Sequence, residues 1–269
     1  MDLMLQDQVV LITGGAKGIG EGITRAFAAE GAIPVILGRN PAEAGAIVAD
    51  LARQGLRGDS FHAELTREED IRDAVRDVLA KYGRIDVVVN NAGANDAVSL
   101  RHAPADFVRS LQLNLVHSFT LVHHALDALI AAKGCIINIG SKTASTGQGG
   151  TSGYAAANGA LNALTREWAV DLGKFGIRVN CVVPAEVITP QYERWLANAP
   201  DPAAARRKLD DTIPLGRRTT TIREIADTVV FAASPRSSHT TGQILFVDGG
   251  YVHLDRACTA GTTHLKTTI

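Results

Sequence analysis

The sequence predicts an α/β fold, a single doubly wound parallel sheet of seven strands with helices on both faces. Short apolar runs alternate with longer amphipathic stretches along the chain. Strands covered on both faces are continuously apolar, whereas strands with one wet face alternate, so runs such as IDVVVN indicate a parallel sheet. No repeat or linker divides the chain, so one domain is expected over residues 1–258, followed by a flexible, Thr-rich tail at 259–269.

Seven apolar runs supply the strands, and the segments between them supply the helices. The predicted strands are residues 8–13, 33–37, 58–63, 85–90, 135–140, 177–183 and 243–249, the third being the weakest. The predicted helices are residues 18–30, 41–54, 67–82, 152–174 and 222–233, with one or two more within 106–130. A polar, Ala-rich stretch at 201–208 is expected to be a mobile helical excursion over the site.

The composition is that of an ordinary soluble domain, with 46% hydrophobic and 20% charged residues. A net charge of −1 gives no reason to expect nucleic acid or an acidic membrane as a partner. Three scattered cysteines (Cys135, Cys181 and Cys258) and histidines without HExxH spacing favour neither disulfides nor a metal. The first ten residues lack signal-peptide features and no apolar stretch reaches ~18 residues, so a cytoplasmic location without membrane contact is expected.

A glycine-rich loop, TGGAKGIG, joins the first predicted strand to the first helix. Glycines at 14, 18 and 20 allow a tight turn and let the backbone approach a pyrophosphate, which the helix N-terminus then binds. A glycine-rich loop alone is weak evidence, but a strand before it and a helix after it predict a Rossmann-type dinucleotide site. The Lys-Ser/Thr ending of a P-loop is missing, which argues against a nucleoside triphosphatase.

The end of the second strand bears on the choice of dinucleotide. A site for NAD favours an acidic residue there, because a carboxylate binds the ribose hydroxyls of adenosine. This strand ends in LGRN, with Gly38 at the position of the acid and Arg39 next to it. A guanidinium suits a 2′-phosphate, and Lys17 adds a second positive charge, so NADP is preferred over NAD. The alternative is that Arg39 is a solvated arginine at a strand end.

Five features in order and spacing carry a family resemblance: the TGGAKGIG loop, NNAG at 90–93, Asn114, Ser141 and Tyr154. Together they resemble the short-chain dehydrogenase/reductase family along essentially the whole chain. The segments GAND, SKTASTGQG, PAEVITP and DGGYVHLDRA are similar to a narrower branch, the sugar-oxidising L-fucose dehydrogenases. The resemblance implies a single-domain enzyme, often a homotetramer, that transfers hydride between a nicotinamide and an alcohol or carbonyl.

The resemblance also implies roles for individual residues. Tyr154 would be the general base in alcohol oxidation, Ser141 would hold the substrate oxygen, and Asn114 would hold a water of a proton relay. The implied cofactor contacts are Gly14, Lys17, Gly18, Ile19, Gly20, Arg39, Glu64, Leu65, Asn91, Ala92, Gly93, Tyr154, Pro184, Val187 and Thr189.

One catalytic position departs from the family pattern. Four residues after Tyr154, where the family has a lysine, this chain has Asn158. Tyrosine ionises at a pKa of ~10, and a unit charge ~4 Å away at an effective dielectric of ~20 supplies the ~4 kcal/mol that brings this near neutrality. Asn158 lies on the same helix face but carries no charge. Three interpretations remain: impaired catalysis, catalysis at higher pH, or replacement by Lys142, which the alternation of neighbouring side chains disfavours.

Polar residues after the nucleotide-binding segments favour a polar substrate such as a sugar. The candidate substrate contacts are Asn95, Asp96, Ser141, Gln148, Tyr154, Glu186 and Trp195. A steroid or acyl chain would leave such groups unpaired, although some of them could be ordinary loop residues and Trp195 could be a core residue. The leading prediction is NADP-dependent oxidation of an L-fucose-like aldose to its lactone. The alternatives are a dehydrogenase of another polar alcohol or deoxy sugar acid, and a non-catalytic dinucleotide-binding protein.

Overall fold

The computed structural model describes residues 1–253, so Cys258 and the predicted tail lie outside the described residues. Seven strands form one sheet in the order β3-β2-β1-β4-β5-β6-β7, and every neighbouring pair is parallel. The strands are β1 Val9–Thr13, β2 Ile33–Gly38, β3 Asp59–His62, β4 Val87–Asn90, β5 Cys135–Ile139, β6 Arg178–Pro184 and β7 Ile244–Val247. The predicted fold class is confirmed.

Helices connect the strands and cover both faces of the sheet. They are α1 Gly18–Ala29, α2 Pro41–Arg53, α3 Glu68–Tyr82, α4 Pro104–Leu111, α5 His117–Ala132, α6 Ser152–Gly173, α7 Pro190–Ala197, α8 Pro202–Asp211 and α9 Ile222–Ala233. The predicted 106–130 segment is two helices, α4 and α5, joined by a π-turn at Gln112–Val116. Helix α8 extends the excursion predicted at 201–208.

The core forms two layers because alternate residues of each strand point to opposite faces. Val9 and Leu11 of β1 pack with helices α3, α5 and α6 on one face. Val10 and Ile12 pack with α1 and α9 on the other. Burial on both faces explains why the strand segments are apolar without alternation.

One helical stretch, Pro104–Ala132, is long and apolar enough to cross a membrane by length and composition, with a mean hydropathy of 1.3 over its best window. Counting apolar runs missed it because Ser, Thr and His interrupt the run with little added charge. One third of the window is buried within the domain, where Leu121, Ala125 and Leu129 join the core.

The strand order places the site. Strand β1 pairs with β2 on one side and with β4 on the other. The strand order therefore runs outward in opposite directions from the neighbouring strands β1 and β4. Doubly wound sheets bind ligands in the crevice at the carboxyl ends of such a strand pair. The TGGAKGIG loop after β1 and the NNAG loop after β4 meet there.

Candidate active site

The glycine loop is a close-packed turn that only glycine allows. Gly14 and Gly18 have left-handed φ values of 65° and 57°. A Cβ on Gly20 would lie 2.2 Å from the Gly14 carbonyl oxygen and 2.5 Å from Asn91 Nδ2, which real contacts do not permit. Lys17, the N-cap residue of α1, makes no side-chain capping hydrogen bond. The first N–H groups of this helix therefore suit an anion such as pyrophosphate.

Thr13 and Asn91 join the glycine loop to the NNAG loop. Thr13 Oγ1 accepts hydrogen bonds from the Asn91 and Ala92 backbone N–H groups, over 2.9 and 3.0 Å. Asn91 Nδ2 in turn donates to the Thr13 carbonyl oxygen over 2.9 Å. The predicted cofactor residue Asn91 therefore fixes the shape of the cradle, and Thr13 is a residue that sequence reasoning missed.

Two cations flank the end of β2. Arg39 is 76% exposed and its Nη1 lies 3.9 Å from Glu64 Oε2, while Lys17 is 70% exposed with its Nζ 3.2 Å from Glu43. A Cβ on Gly38 would have no heavy atom within 4 Å, so this position has open space. The predicted neighbour Leu65 is partly buried against the core.

Ser141, Tyr154 and Asn158 come together between β5 and α6. Ser141 is extended and begins the 3-10 turn Lys142–Ala144, and its Oγ accepts a hydrogen bond from Thr143 Oγ1 over 3.0 Å. Tyr154 and Asn158 lie one turn apart on α6, and Asn158 is 6% exposed. Three of the four positions predicted to be catalytic therefore lie in one site, and Asn114 is the fourth.

The Tyr154 phenol has a raised pKa. Burial raises it, and hydrogen bonds from Ser141 and Asn158 lower it by less than burial raises it. A phenol with a pKa above its usual value is a poor base at neutral pH. The geometry of a proton acceptor is therefore present, and the electrostatic help for ionisation is weak.

Asn114 lies in the π-turn between α4 and α5. Its Oδ1 accepts a hydrogen bond from the Ala94 N–H over 2.7 Å, and its Nδ2 donates to the Ser110 carbonyl oxygen over 3.0 Å. A Cβ on Gly93 would lie 3.0 Å from this Oδ1, so the NNAG loop is pressed against the π-turn. π-Turns occur often at functional sites, and no sequence pattern indicated this one.

His117 follows the π-turn and is 2% exposed. Burial lowers its pKa to about 4, although hydrogen bonding to the Leu113 and Ala92 carbonyls opposes this. The imidazole is therefore neutral at physiological pH and packs the π-turn against the NNAG loop.

The segment after β6 forms the expected nicotinamide end of the crevice. Pro184 ends β6, and Val187 is buried and bridges to Thr220. Thr189 caps α7 by accepting a hydrogen bond from the Tyr192 N–H over 3.3 Å. A Cβ on Gly18 would lie 3.4 Å from Thr189 Cγ2, so this segment contacts the glycine loop, where Ile19 is partly buried.

Glu186 is buried in a polar cluster with Lys142 and Tyr192. One carboxylate oxygen pairs with Lys142 Nζ, and the other accepts a hydrogen bond from the Tyr192 hydroxyl. The Lys142 ammonium also lies 4.1 Å from the centroid of the Tyr251 ring. Burial and the Glu186 carboxylate raise the pKa of Tyr192, so its hydroxyl stays protonated and donates.

The remaining predicted substrate residues differ in exposure. Trp195 is 57% exposed and lies edge-on to Tyr192 at 5.4 Å, so it is not a core residue in this chain. Asp96 Oδ1 is shielded from water and has no hydrogen-bond partner within residues 1–253. Asn95 and Gln148 are exposed, and Asn95 Oδ1 accepts a hydrogen bond from the Ala97 N–H over 3.2 Å.

The sequence offers Lys142 only as a replacement for the lysine missing at 158, and it indicates no role for Tyr251. The signal for Lys142 and Glu186 was opposite charge after two successive apolar strands, β5 and β6, which are neighbours in the sheet. Tyr251 is distant in sequence and reaches the cluster through the turn after β7.

A glycine cradle at the sheet's switch point and a serine–tyrosine pair beside it define a nicotinamide-dependent oxidoreductase. The family model described as Enoyl-(Acyl carrier protein) reductase matches residues 14–252. The chain belongs to this family, the short-chain dehydrogenases/reductases, as the sequence predicted.

The sequence similarity to curated proteins extends over nearly the whole chain. The L-fucose dehydrogenase of Oryctolagus cuniculus is 41% identical over 246 residues, 90% of this chain and 84% of the relative. The 3-oxoacyl-(acyl-carrier-protein) reductase FabG of Thermotoga maritima is 35% identical over 254 residues, 93% of this chain and 100% of the relative. A solved structure, the crystal structure of Cj0485 dehydrogenase, superposes with a TM-score of 0.91 at 47% identity, over 96% of this chain and 98% of that one. These similarities support an enzyme.

Proposed function

We propose that this protein oxidises the anomeric hydroxyl of an L-fucose-like aldopyranose to a lactone, with NADP as the preferred cofactor. The observation that carries the proposal is the polar cluster at the carboxyl ends of β5 and β6, where Lys142 pairs with the buried Glu186 and the exposed Trp195 ring lies beside Tyr192. Charged groups would recognise hydroxyls, and an aromatic ring would cover an apolar sugar face. The relationship to L-fucose dehydrogenases supports the same substrate class.

The residues of the chain would act mainly on the proton. The residues of the glycine loop would hold NADP, and its nicotinamide would supply the acceptor for the hydride of the anomeric carbon. Ser141 holds the oxygen of that carbon, and the Tyr154 phenolate takes its proton as the carbon–oxygen double bond of the lactone forms. Asn114, whose side chain is fixed by Ala94 and Ser110, would hold the water that passes the proton on.

Asn158 makes this reaction slow at neutral pH. Its amide adds hydrogen bonds around Tyr154 but no charge, and burial keeps the phenol pKa above its usual value. Lys142 does not take over the role, because its ammonium pairs with Glu186. General acid–base help is typically worth ~10²–10⁴-fold, and we expect a rate loss of that order relative to the Asn158→Lys variant.

Cofactor preference, assembly and location are parts of the same proposal. Arg39 and Lys17 favour the 2′-phosphate of NADP, and NAD is a second cofactor. Exposed apolar side chains on α4, the π-turn and α5 support association into a homotetramer; they are Phe107, Val108, Val116 and Phe119. The free, buried thiols of Cys135 and Cys181 fit a reducing compartment such as the cytoplasm.

The test is dehydrogenase activity across pH with L-fucose, L-galactose and D-arabinose, using NADP and NAD, on this chain and on Asn158→Lys. Activity on one sugar that the lysine increases strongly supports the proposal. Activity on another polar alcohol only would assign a different dehydrogenase. Retained cofactor affinity without turnover in either protein would indicate a dinucleotide-binding protein, an interpretation that Asn158 alone favours.

A further inference from the structure

Lys142 is a buried ammonium with fewer partners than it has donors. It is 8% exposed, and Glu186 is its only hydrogen-bond acceptor among the residues whose side chains the structure describes. The Tyr251 ring faces a second side of the charge at 4.1 Å, a cation–π contact. An ammonium carries three N–H donors, so at least one has no acceptor in the described part of the chain.

Glu186 is positioned to hold the Lys142 ammonium, and substrate binding is not its main role. It is 6% exposed, and each of its oxygens already has a partner, Lys142 or Tyr192. Glu186 is one of the substrate contacts predicted from the sequence, and in the structure its carboxylate compensates the buried charge of Lys142.

Rigid elements hold the ammonium from separate sides. The Asp248 carboxylate accepts hydrogen bonds from the Gly250 and Val252 N–H groups, over 2.8 and 2.9 Å, which fixes the turn that carries Tyr251. Tyr192 lies in the first turn of the capped helix α7. A side chain held in this way loses little entropy when it binds a ligand.

We propose that Lys142 is a substrate-binding residue that donates a hydrogen bond to a second oxygen of the sugar, while Ser141 and Tyr154 hold the oxygen that is oxidised. Lys142, Glu186 and Tyr251 follow the adjacent strands β5, β6 and β7, so the ammonium lies at the carboxyl edge of the sheet, where such folds bind ligands. The site would select compounds with an oxygen near the reacting hydroxyl and reject those without one, because a buried N–H donor without an acceptor is costly. This inference rests on the proposed sugar oxidation and deepens it.

The experiment is a double-mutant-type cycle, in which the Lys142 side chain and single hydroxyls of the substrate are removed separately and together. We would measure kcat/KM for L-fucose and its 2-, 3- and 4-deoxy analogues. Lys142→Met alone leaves the Glu186 carboxylate buried without its counter-ion, which is destabilising, so the neutral pair Lys142→Met/Glu186→Gln is measured beside it. Lys174→Met, at an exposed lysine paired with Asp171 just before it, is the matched control.

The unmodified chain is expected to lose about 10- to 100-fold in kcat/KM when one particular hydroxyl is removed, the range for a hydrogen bond to a charged group. The neutral double variant should show no such loss, and Lys174→Met should behave like the unmodified chain. If the double variant loses the same factor for that hydroxyl, or if no deoxy analogue differs from L-fucose, the role of Lys142 is overturned.

Failure of the proposed function gives a different result, namely no oxidation of any of these sugars. The same cycle is then run with cyclopentanol and cyclopentane-1,2-diol. A preference of the unmodified chain for the diol that disappears in the double variant supports Lys142 as the contact to a second oxygen. The role of Lys142 is overturned if the unmodified chain shows no preference, or if the double variant keeps it. If neither protein turns over any of these compounds, their binding in the presence of NADP is measured by calorimetry for the unmodified chain and for the double variant. The proposal is overturned if the affinities are the same in both proteins, or if no compound binds.

Discussion

The side-chain amide of Asn158 donates a hydrogen bond to the backbone carbonyl oxygen of Tyr154 over 2.9 Å, one turn earlier on α6. The amide is therefore held beside the residue that would act as base. It supplies hydrogen bonding to the phenol without a positive charge, and burial leaves the Tyr154 pKa raised. This pair of residues sets the expected pH dependence of the enzyme.

Asn158→Lys should move the pH dependence of oxidation toward neutrality. The phenol must be deprotonated to accept the substrate proton, so the rate of the unmodified chain rises with pH on an alkaline limb. A charge ~4 Å away at an effective dielectric of ~20 lowers the phenol pKa by ~3 units. The kcat/KM at pH 7.5 should therefore rise by ~10²–10³-fold. Asn158→Met, whose side chain is similar in length to lysine but uncharged, should bring no gain in kcat/KM. A pH–rate profile of the unmodified chain whose limb already lies near neutral pH would contradict the prediction.

Arg39→Ala should weaken the use of NADP and leave NAD nearly unchanged. Loss of a charge-assisted contact to the 2′-phosphate is expected to cost about 10- to 100-fold in kcat/KM for NADP. Gly38→Asp fits the open space at that position and should reverse the preference, because a carboxylate repels the 2′-phosphate and binds ribose hydroxyls. The control is Arg53→Ala, at an arginine 70% exposed that pairs with Asp50. Equal losses with both cofactors would argue against a 2′-phosphate contact.

Gly20→Ala should disrupt the cradle. The added methyl would overlap the Gly14 carbonyl oxygen and the Asn91 amide, so we expect a loss of about 1–3 kcal/mol in the free energy of unfolding and a large loss of cofactor affinity. Gly45→Ala, a methyl added inside α2 with no heavy atom within 4 Å, should instead stabilise by up to about 1 kcal/mol. Denaturant unfolding and cofactor fluorescence measure both. Normal cofactor binding by Gly20→Ala would mean that the loop is not the pyrophosphate site.

His117 should make the fold sensitive to acid. Its pKa is about 4 in the folded protein and has the ordinary value of 6.5 in the unfolded chain, so between these pH values the unfolded chain binds a proton that the folded chain does not. Its contribution to stability is complete above about pH 6.5 and is lost as the pH falls through about 4. At 1.36 kcal/mol per pKa unit the difference amounts to roughly 3 kcal/mol. His117→Asn should remove this part of the slope in urea unfolding, whereas His62→Asn at an exposed position should keep it.

Phe119→Glu should reduce the size of the assembly. Phe119 is 55% exposed on α5, and Val116 at the preceding turn is 47% exposed, so a charge there would oppose burial between copies. Sedimentation should show a smaller species than for the unmodified chain. Leu100→Glu, at a loop residue that is 95% exposed, should leave the size unchanged. A monomer in the unmodified chain would contradict the proposed homotetramer.

The parts that could be predicted from the sequence depend on short-range patterns. The predicted strands correspond to the seven strands of the sheet. The strand before the TGGAKGIG loop and the helix after it predicted that this loop is a dinucleotide site. The π-turn could not be predicted, because a one-residue shift in the hydrophobic pattern between α4 and α5 looks the same as the end of one helix and the start of another. The Lys142–Glu186 pair also depends on tertiary structure, since β5 and β6 must lie side by side before the two charges can meet. Helix α7 was not predicted, because its eight residues make only about two turns, too few for a helical period to stand out.

The π-turn at Gln112–Val116 has a consequence beyond the placement of Asn114. Each residue of an α-helix advances the direction of the side chains by about 100°, so the single additional residue of a π-turn resets the rotational phase of everything after it. The same turn therefore decides that Leu121 and Ala125 face the sheet while Phe119 faces outward. Deleting one residue there would rotate α5 by about 100° and would alter the proton-relay geometry and the exposed apolar surface together. Catalytic geometry and surface chemistry are thus coupled through one local irregularity of the backbone.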